Sequence, residues 1–205
     1  MSAVVTIVGA GSVGTNLAIR LNAVGYSVRF AARDLESDKV HNARTQVEAE
    51  VVALDAAAAG TDFIILAVPY SAVLDTLAAI GPVGSALLVD ATNAVGVDFP
   101  DHATSVLDVI AGRYDGTALV KAFNTIGAEA FLDPVIGGTA LFLPIAGDQE
   151  AAERVSRMAS DMGFDAIVIG GRSEAVLLEQ FARMWMHLAF RAGLGRSFGF
   201  GRLTR

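Results

Sequence analysis

The stretch VVTIVGAGSVG, residues 4–14, decides the fold of this chain. An apolar run with the length of a buried strand leads directly into three glycines. Gly9 allows a tight turn off the strand, and Gly11 lets the backbone come close to a pyrophosphate. Gly14 permits the following helix to pack closely on the sheet. The stretch therefore predicts a strand, a dinucleotide-binding turn and a helix in that order.

The residues after this turn predict a helix whose positive end faces the ligand. Ser12 and Val13 stand at its start, and apolar residues recur at helical spacing from Leu17 to Leu21. The first N–H groups of such a helix have no partner within it, so they can donate to a phosphate. A glycine-rich turn in a fold that has lost its ligand is the alternative interpretation.

The second predicted strand ends in a basic residue where NAD-binding chains usually carry an acidic one. The apolar run Tyr26–Ala32 ends at Arg33. An acid at this place holds the ribose 2′-hydroxyl of NAD, whereas an arginine accommodates the 2′-phosphate of NADP. Arg33 therefore favours NADP(H), with a solvated arginine at the strand end as the alternative. Asp34 follows at once and could act as the NAD-type acid.

Strand and helix patterns alternate along the whole chain, which is typical of an α/β protein with a mostly parallel sheet. Predicted strands lie near 3–9, 26–32, 49–53, 62–68, 85–90, 118–123, 140–146 and 165–169. Predicted helices lie near 12–23, 35–44, 54–59, 70–80, 103–112, 126–131, 149–162 and 173–192. We predict a Rossmann-type, doubly wound fold with a small C-terminal helical extension. Residues 1–124 would form an NADP-binding domain, and residues 125–205 a small α/β extension that completes the cofactor or substrate cleft.

Polar residues follow the predicted strands at their carboxyl ends, where parallel sheets bind ligands. The polar residues at these ends are Tyr70, Thr92, Asn93, Asn124 and Thr125. The candidates for cofactor binding are Val68, Pro69, Tyr70, Asn93, Asn124, Thr125 and Ile126. Several can hydrogen-bond a ribose, a carboxamide or a heterocycle, and none is a strong acid, base or nucleophile in an obvious pairing. We therefore predict no catalytic side chain. This pattern fits direct hydride transfer between two bound cofactors better than hydrolysis.

Two further residues are candidates for acid–base chemistry. Lys121 and Asn124 stand three residues apart, as a lysine–asparagine pair does in some hydroxyacid dehydrogenases. Because side chains alternate along a strand, the spacing predicts that the two point to opposite faces. Lys121 is then better interpreted as a strand-edge lysine or an ion-pair partner. His187 lies within the last apolar helix and is better interpreted as packed or solvated.

Composition narrows the class of protein. The chain has 205 residues, 53% of them hydrophobic, with a net charge of −7 and no cysteine. The acidic balance disfavours nucleic-acid binding. His41, His102 and His187 are too far apart to form a metal-binding motif, so we predict no metal site. Apolar runs fall short of the ~20 residues of a spanning helix. We predict a cytoplasmic protein with no membrane partner and no signal peptide.

The C-terminal part carries a broad apolar stripe and a glycine-rich tail. The stripe consists of Leu177, Leu178, Phe181, Met184, Trp185 and Leu188. It predicts either packing against the sheet or the interface of a homodimer. The glycines between 193 and 201 predict close backbone approach or mobility, as a flap near the ligand or as a loose terminus. Asp148 is predicted to cap the helix that follows it.

A set of motifs spread over nearly the whole chain resembles one known family, the NADPH-dependent reductases of the deazaflavin coenzyme F420. The cytosolic oxidoreductase domain of the six-transmembrane metalloreductases is also similar. The matching segments are GAGSVG (9–14), Arg33, AVPY (67–70), VKAFNTI (120–126), PIAGD (144–148) and MGF (162–164).

The resemblance implies an NADP(H) site in the N-terminal domain and a flavin or deazaflavin in the adjoining cleft. The two rings would stack for hydride transfer. By the same resemblance, Ser12 and Val13 line the pyrophosphate turn, and Arg33 binds the 2′-phosphate. Residues 68–70 line the cleft, and residues 124–128 approach the nicotinamide and the second ring.

One segment departs from the family pattern. Where the archaeal deazaflavin reductases have His-Thr-Ile-Pro, this chain has Asn124-Thr125-Ile126-Gly127, which is more similar to the metalloreductase domain. The resemblance therefore implies either coenzyme F420 or a flavin such as FMN or FAD as the acceptor of the hydride. Two alternatives stay open, namely a reductase of a small carbonyl or imine substrate and a non-catalytic NADP(H)-binding sensor.

Overall fold

The computed structural model describes residues 2–96, 99–100, 102–114 and 116–205. Its strands are β1 (Val4–Val8), β2 (Ser27–Ala32), β3 (Glu50–Ala53), β4 (Phe63–Leu66), β5 (Leu87–Asp90), β6 (Leu119–Lys121), β7 (Val135–Ile136), β8 (Thr139–Ala140), β9 (Phe142–Gly147) and β10 (Asp165–Gly170). Its α-helices are α1 (Ser12–Ala23), α2 (Asp38–Gln46), α3 (Val73–Ile80), α4 (Val106–Ala111), α5 (Gln149–Asp161) and α6 (Ala175–Met186).

Eight strands form one sheet in the order β10-β9-β6-β5-β4-β1-β2-β3. The six strands from β3 to β6 are parallel and have the order of the doubly wound dinucleotide-binding fold. The predicted fold is therefore confirmed, including its C-terminal helix. β9 pairs antiparallel with β6, and β10 pairs parallel with β9. This pairing continues the sheet beyond residue 124, where the first of the two predicted domains ends. The division into two domains therefore stays a prediction.

Helices cover both faces of the sheet, which explains why its central strands are apolar throughout. Every residue of β4 and β5 is buried. On one face α1 and α5 pack in a core that includes Leu17, Leu21 and Met158. On the other face α3, α4 and α6 pack in a second core. The crevice left open at the carboxyl ends of the strands is the place for a ligand.

Two predicted helices differ from the structure, and one hairpin was not predicted. The predicted helices at 54–59 and 126–131 are 3-10 turns, Leu54–Ala56 and Ala128–Phe131. A short hairpin, β7–β8, was not predicted. Its turn is Gly137-Gly138, whose φ angles of 60° and 79° suit the two-residue turns of hairpins.

The predicted capping role of Asp148 is wrong. Asp148 stands at the N-cap position of α5, but its side chain makes no capping hydrogen bond. Its carboxylate instead accepts the N–H of Leu119 at 2.8 Å and Nε of Arg172 at 2.7 Å. Burial raises the pKa of Asp148, but these hydrogen bonds outweigh it and the pKa lies below its usual value. A charged tertiary partner has therefore replaced the local cap.

The apolar stripe of α6 is divided between the core and the surface. Leu178 and Trp185 are buried, whereas Leu177 is 54% and Met184 45% exposed. Packing of this helix against the sheet is therefore confirmed. The homodimer interface stays a prediction, for which the exposed half of the stripe is available.

Candidate cofactor site

The glycine turn after β1 has the geometry that its sequence predicts. Gly9 has a φ of +110°, and a Cβ there would lie 2.6 Å from the carbonyl oxygen of Ala67. A Cβ at Gly14 would overlap the carbonyl oxygen of Gly9. At Gly11, by contrast, a Cβ would meet nothing within 4 Å. Two glycines are therefore needed for the turn itself, and Gly11 leaves open space above it.

Two adjoining cavities meet at this turn. The first, of about 260 Å³, extends over the end of β2 and the start of α2. The second, of about 550 Å³, extends over the ends of β4 and β5. Both are lined by Gly9, Ala10, Lys39, Val68 and Pro69. Together they form a continuous groove across the carboxyl edge of the sheet.

The N-terminus of α1 faces the second cavity, whose wall includes Gly11, Ser12 and Val13. Within the described residues no side chain caps this helix. Its first N–H groups are therefore available to an anion, and the helix dipole adds positive potential there.

Two cations line the first cavity, and sequence reasoning identified one of them. Arg33 and Lys39 are exposed, and neither forms an ion pair with a carboxylate of the described residues. Asp34, the alternative NAD-type acid, uses Oδ1 to accept the N–H of Glu36 at 3.0 Å. Its backbone oxygen accepts the hydroxyl of Ser37. A search for basic residues near the start of the helix after the second strand would have found Lys39.

Of the three predicted site residues after β4, two line the groove and one lies beside it. Val68 and Pro69 line both cavities. Tyr70 begins a 3-10 turn outside both cavity walls. Its ring packs edge-on against Phe99, with ring centroids 5.8 Å apart. The structure therefore brings the first two residues to the groove and leaves Tyr70 beside it.

The predicted asparagines after β5 and β6 contact one another. Asn93 lines the second cavity, and its Nδ2 donates to the backbone oxygen of Asn124 at 3.1 Å. Nδ2 of Asn124 donates in return to Oδ1 of Asn93 at 3.3 Å. Asn124, Thr125 and Ile126 are buried behind this wall. Oδ1 of Asn124 and Oγ1 of Thr125 have no hydrogen-bond partner among the described residues, which is rare for buried polar atoms.

A buried charge cluster lies directly behind the same wall. Asp90 and Lys121 are register partners on β5 and β6, so their side chains share one face of the sheet. Nζ of Lys121 lies 2.7 Å from Asp90 Oδ2 and 2.8 Å from Glu179 Oε1 on α6. It also donates to the backbone oxygen of Thr92 at 3.0 Å. We call Asp90, Lys121 and Glu179 the buried triad.

The buried triad gives Lys121 a structural role. Three acceptors satisfy the three N–H donors of its ammonium group. Burial lowers the pKa of Lys121, but the two carboxylates outweigh it, and the pKa lies above its usual value. The ion-pair interpretation of Lys121 is therefore confirmed. Sequence reasoning missed Glu179, although it shares the helical spacing of the buried residues Ala175 and Ala182.

The predicted opposite orientation of Lys121 and Asn124 is wrong. Strand β6 ends at Lys121, and Phe123 adopts a φ of +67°, which interrupts the alternation of side chains. Both side chains consequently contact α6. Asn124 donates to the backbone oxygen of Leu178, and Lys121 pairs with Glu179.

The departure at Gly127 has a packing explanation. A Cβ on Gly127 would lie 3.0 Å from Cζ2 of Trp185, closer than side chains normally approach. The indole therefore occupies the space that a proline ring would need. In this chain the backbone at Gly127 therefore packs directly against the indole of Trp185.

Comparisons with known proteins agree with this architecture. Residues 4–94 match the family model described as NADP oxidoreductase, coenzyme F420-dependent. The chain is 28% identical over 207 residues to the F420-dependent NADP reductase of Methanothermobacter thermautotrophicus, with 92% of this chain and 89% of that protein covered. It is 30% identical over 172 residues to the metalloreductase STEAP3 of Rattus norvegicus, with 83% of this chain but 34% of that protein covered.

The fold is also found in a crystal structure. A candidate F420-dependent NADP reductase from Arthrobacter sp. FB24 superposes with a TM-score of 0.82 at 21% sequence identity, covering 97% of this chain and 99% of that one. The fold and the groove together define a doubly wound fold of the dinucleotide-binding type. Over residues 4–94 the chain is similar to the coenzyme F420-dependent NADP oxidoreductases, the family whose motifs it resembles. Among the described residues, no helix is long and apolar enough to cross a membrane.

Proposed function

We propose that this chain is an NADP(H)-dependent oxidoreductase that exchanges a hydride with a deazaflavin, coenzyme F420, or with a flavin such as FMN or FAD. One observation carries the proposal. Arg33 and Lys39 line the cavity beside the glycine turn without a carboxylate partner among the described residues. Two such cations suit the 2′-phosphate that distinguishes NADP from NAD.

The groove fits a dinucleotide at each of its parts. The first cavity takes the adenosine and its 2′-phosphate, between Val40 and Pro69. Space above Gly11 and the uncapped start of α1 take the pyrophosphate. The second cavity takes the nicotinamide riboside against Thr92 and Asn93.

The orphaned polar atoms behind Asn93 support a ligand at the nicotinamide end. Asn93 and Asn124 exchange hydrogen bonds, and Oδ1 of Asn124 is left without a partner among the described residues. The N–H of a nicotinamide carboxamide is a donor of the kind that this oxygen lacks. The buried triad holds this wall, since Asp90 Oδ1 accepts both the N–H and the hydroxyl of Thr92.

The chemistry of the walls fits a reaction that depends on positioning. A bound dihydronicotinamide would supply a hydride, that is, one proton with two electrons, to an acceptor ring whose further proton would come from solvent. In the described walls of the second cavity the ionisable side chains are Lys39 and Arg196, both cations. These residues bind and orient anions, and the apolar Val13, Val68 and Pro69 exclude water.

Absorbance of NADPH in the presence of purified protein tests the proposal, with coenzyme F420, FMN and FAD added in turn. Turnover with the deazaflavin alone would assign the acceptor as coenzyme F420. Turnover with the flavins alone would place the chain nearer the metalloreductase domain. Absence of turnover with all three, despite NADPH binding, would reject hydride transfer to these rings. Oxidation of NADPH by small carbonyls or imines would then separate a small-substrate reductase from a sensor.

A further inference from the structure

The last residues of the chain form a strap across α6 and the sheet. We define the C-terminal strap as residues 193–202. It begins in a turn where Gly193 and Gly195 have φ angles of 79° and 73°. The N–H of Gly195 donates to the backbone oxygen of Ala189 at 3.2 Å. This bond ties the turn to the π-helical segment His187–Arg191, which directly follows α6.

The far end of the strap is held by tight and specific contacts. The N–H of Phe142 donates to the backbone oxygen of Phe200 at 2.8 Å. A Cβ on Gly199 would lie 2.6 Å from Cδ2 of Leu141, so a larger residue there would require the leucine side chain to move. Arg202 pairs with both carboxylate oxygens of Asp165 at 2.9 Å. The glycine-rich tail is therefore docked along its length.

The indole of Trp185 links the strap to α6. Its Nε1 donates to the backbone oxygen of Phe198 at 3.2 Å, and its ring stacks on Phe198 with centroids 5.4 Å apart. The chain has a single tryptophan. Fluorescence of Trp185 consequently reports on the strap.

Between these anchors the strap brings one cation to the groove. Arg196 lines the second cavity together with the glycine turn, Asn93 and Ala128. Its Nη2 lies 3.1 Å from Oε2 of Glu129, and its Cζ lies 5.9 Å from the ring centroid of Phe190. Both partners of the ion pair are about half exposed. Such an exposed pair is weak and can exchange one anion for another.

We propose that the C-terminal strap is part of the cofactor site and that Arg196 binds the nicotinamide-side phosphate of the dinucleotide in place of Glu129. This inference rests on the proposed binding of NADP(H). It rests equally on position, because Arg196 lines the second cavity and not the first, whereas Arg33 lines the first and not the second. Phosphate offers the guanidinium two parallel hydrogen bonds and more charge than a carboxylate.

Calorimetric titration with two probes tests the inference. NADP⁺ carries the nicotinamide-side phosphate, whereas 2′,5′-ADP lacks it and carries the adenosine-side phosphates. We expect Arg196→Ala to weaken NADP⁺ binding about tenfold or more, the usual loss for a charge-assisted contact, and to leave 2′,5′-ADP binding unchanged. Glu129→Gln should tighten NADP⁺ binding, because it removes the competing anion. In the wild type, NADP⁺ should change the fluorescence of Trp185.

The matched control is Arg202→Ala, which removes an arginine from the same strap but outside the groove. If Arg202→Ala weakens NADP⁺ binding as much as Arg196→Ala, the strap acts by packing alone and the phosphate contact is rejected. Equal weakening of both probes by Arg196→Ala would also reject it. Arg196→Gln provides a second variant of similar size, in case the alanine variant loosens the strap.

The same titrations separate this inference from the proposed function. Arg33→Ala should weaken both probes, since both carry the 2′-phosphate. If Arg33→Ala has this effect and Arg196→Ala has none, the strap assignment fails and the dinucleotide site stands. If the wild type binds neither probe, the proposed function fails and the strap assignment fails with it.

Discussion

The chain has two lysines, and the structure places them in opposite surroundings. Lys121 is completely buried, and its ammonium group is satisfied by Asp90, Glu179 and a backbone oxygen. Lys39 is exposed at the start of α2 and lines both cavities of the groove. Among the described residues no carboxylate pairs with Lys39. The same side chain thus serves the fold in one place and is available to a ligand in the other.

The difference between the two lysines shows how ion pairing separates a structural charge from one that can bind a ligand. A buried charge requires partners, because taking an ion out of water costs several kcal/mol, and its pairing is therefore part of the fold. An exposed cation has no such requirement. When it also lies beside an uncapped helix and an open glycine turn, the free charge is a property of the site. The following experiments test this distinction.

The largest effect is expected from Lys121→Met. Methionine keeps the unbranched apolar part of the side chain but leaves Asp90 and Glu179 buried without their cation. We expect the free energy of unfolding to fall by about 3–5 kcal/mol, as when one partner of a buried ion pair is removed. Urea denaturation at neutral pH measures this change.

Lys39→Met is the matched control, with the same substitution at the other lysine. Its effect on the free energy of unfolding should stay within about 0.5 kcal/mol, as is usual for exposed positions. Similar losses in the two variants would show that the buried triad has no special part in stability.

The next effect concerns nucleotide preference. Arg33→Ala removes a cation from the first cavity and should weaken NADPH binding by about 1.5–3 kcal/mol, while NADH binding changes little. Lys39→Met should act in the same direction. Dissociation constants for the two nucleotides, measured side by side, check the prediction. Equal losses for NADPH and NADH would reject the 2′-phosphate site.

The smallest effect is expected at the partly exposed pair of Asp148 and Arg172. Burial works against ionisation of Asp148, but the hydrogen bonds from Arg172 and Leu119 keep its pKa below the usual range. A group whose pKa is lowered by folding stabilises the fold above its unfolded pKa. This contribution falls below about pH 4 and is lost as the pH passes through the lowered value.

Asp148→Asn should therefore cost about 1 kcal/mol or less at neutral pH, because solvent screens the pair. Its difference from the wild type should shrink toward zero in acid. Urea denaturation of both proteins over a pH series provides the measurement. A difference that grows as the pH falls would contradict the sign of this argument.

Local sequence signals predicted most of the fold and, of the candidate site, the glycine turn and Arg33. The glycine turn, the six parallel strands and Arg33 all depend on neighbours within a few residues, so motif and periodicity suffice to find them. Errors occurred where distant groups intervened. Asp148 lost its capping role to Arg172, and Phe123 ended the alternation that would have separated Lys121 from Asn124.

Residues 4–33 thus contain enough information for a dinucleotide-binding fold, because hydrophobic period and glycine spacing are local properties of the chain. The placement of Glu179 behind the wall and of Arg196 at the groove required the packed molecule. These residues lie far along the chain from the glycine turn, and their partners are set by how α6 and the C-terminal strap cross the sheet. The helical spacing of Glu179 indicates a buried position, but no sequence pattern identifies Lys121 as its partner or brings Arg196 to the groove, so these placements are visible in the folded structure alone.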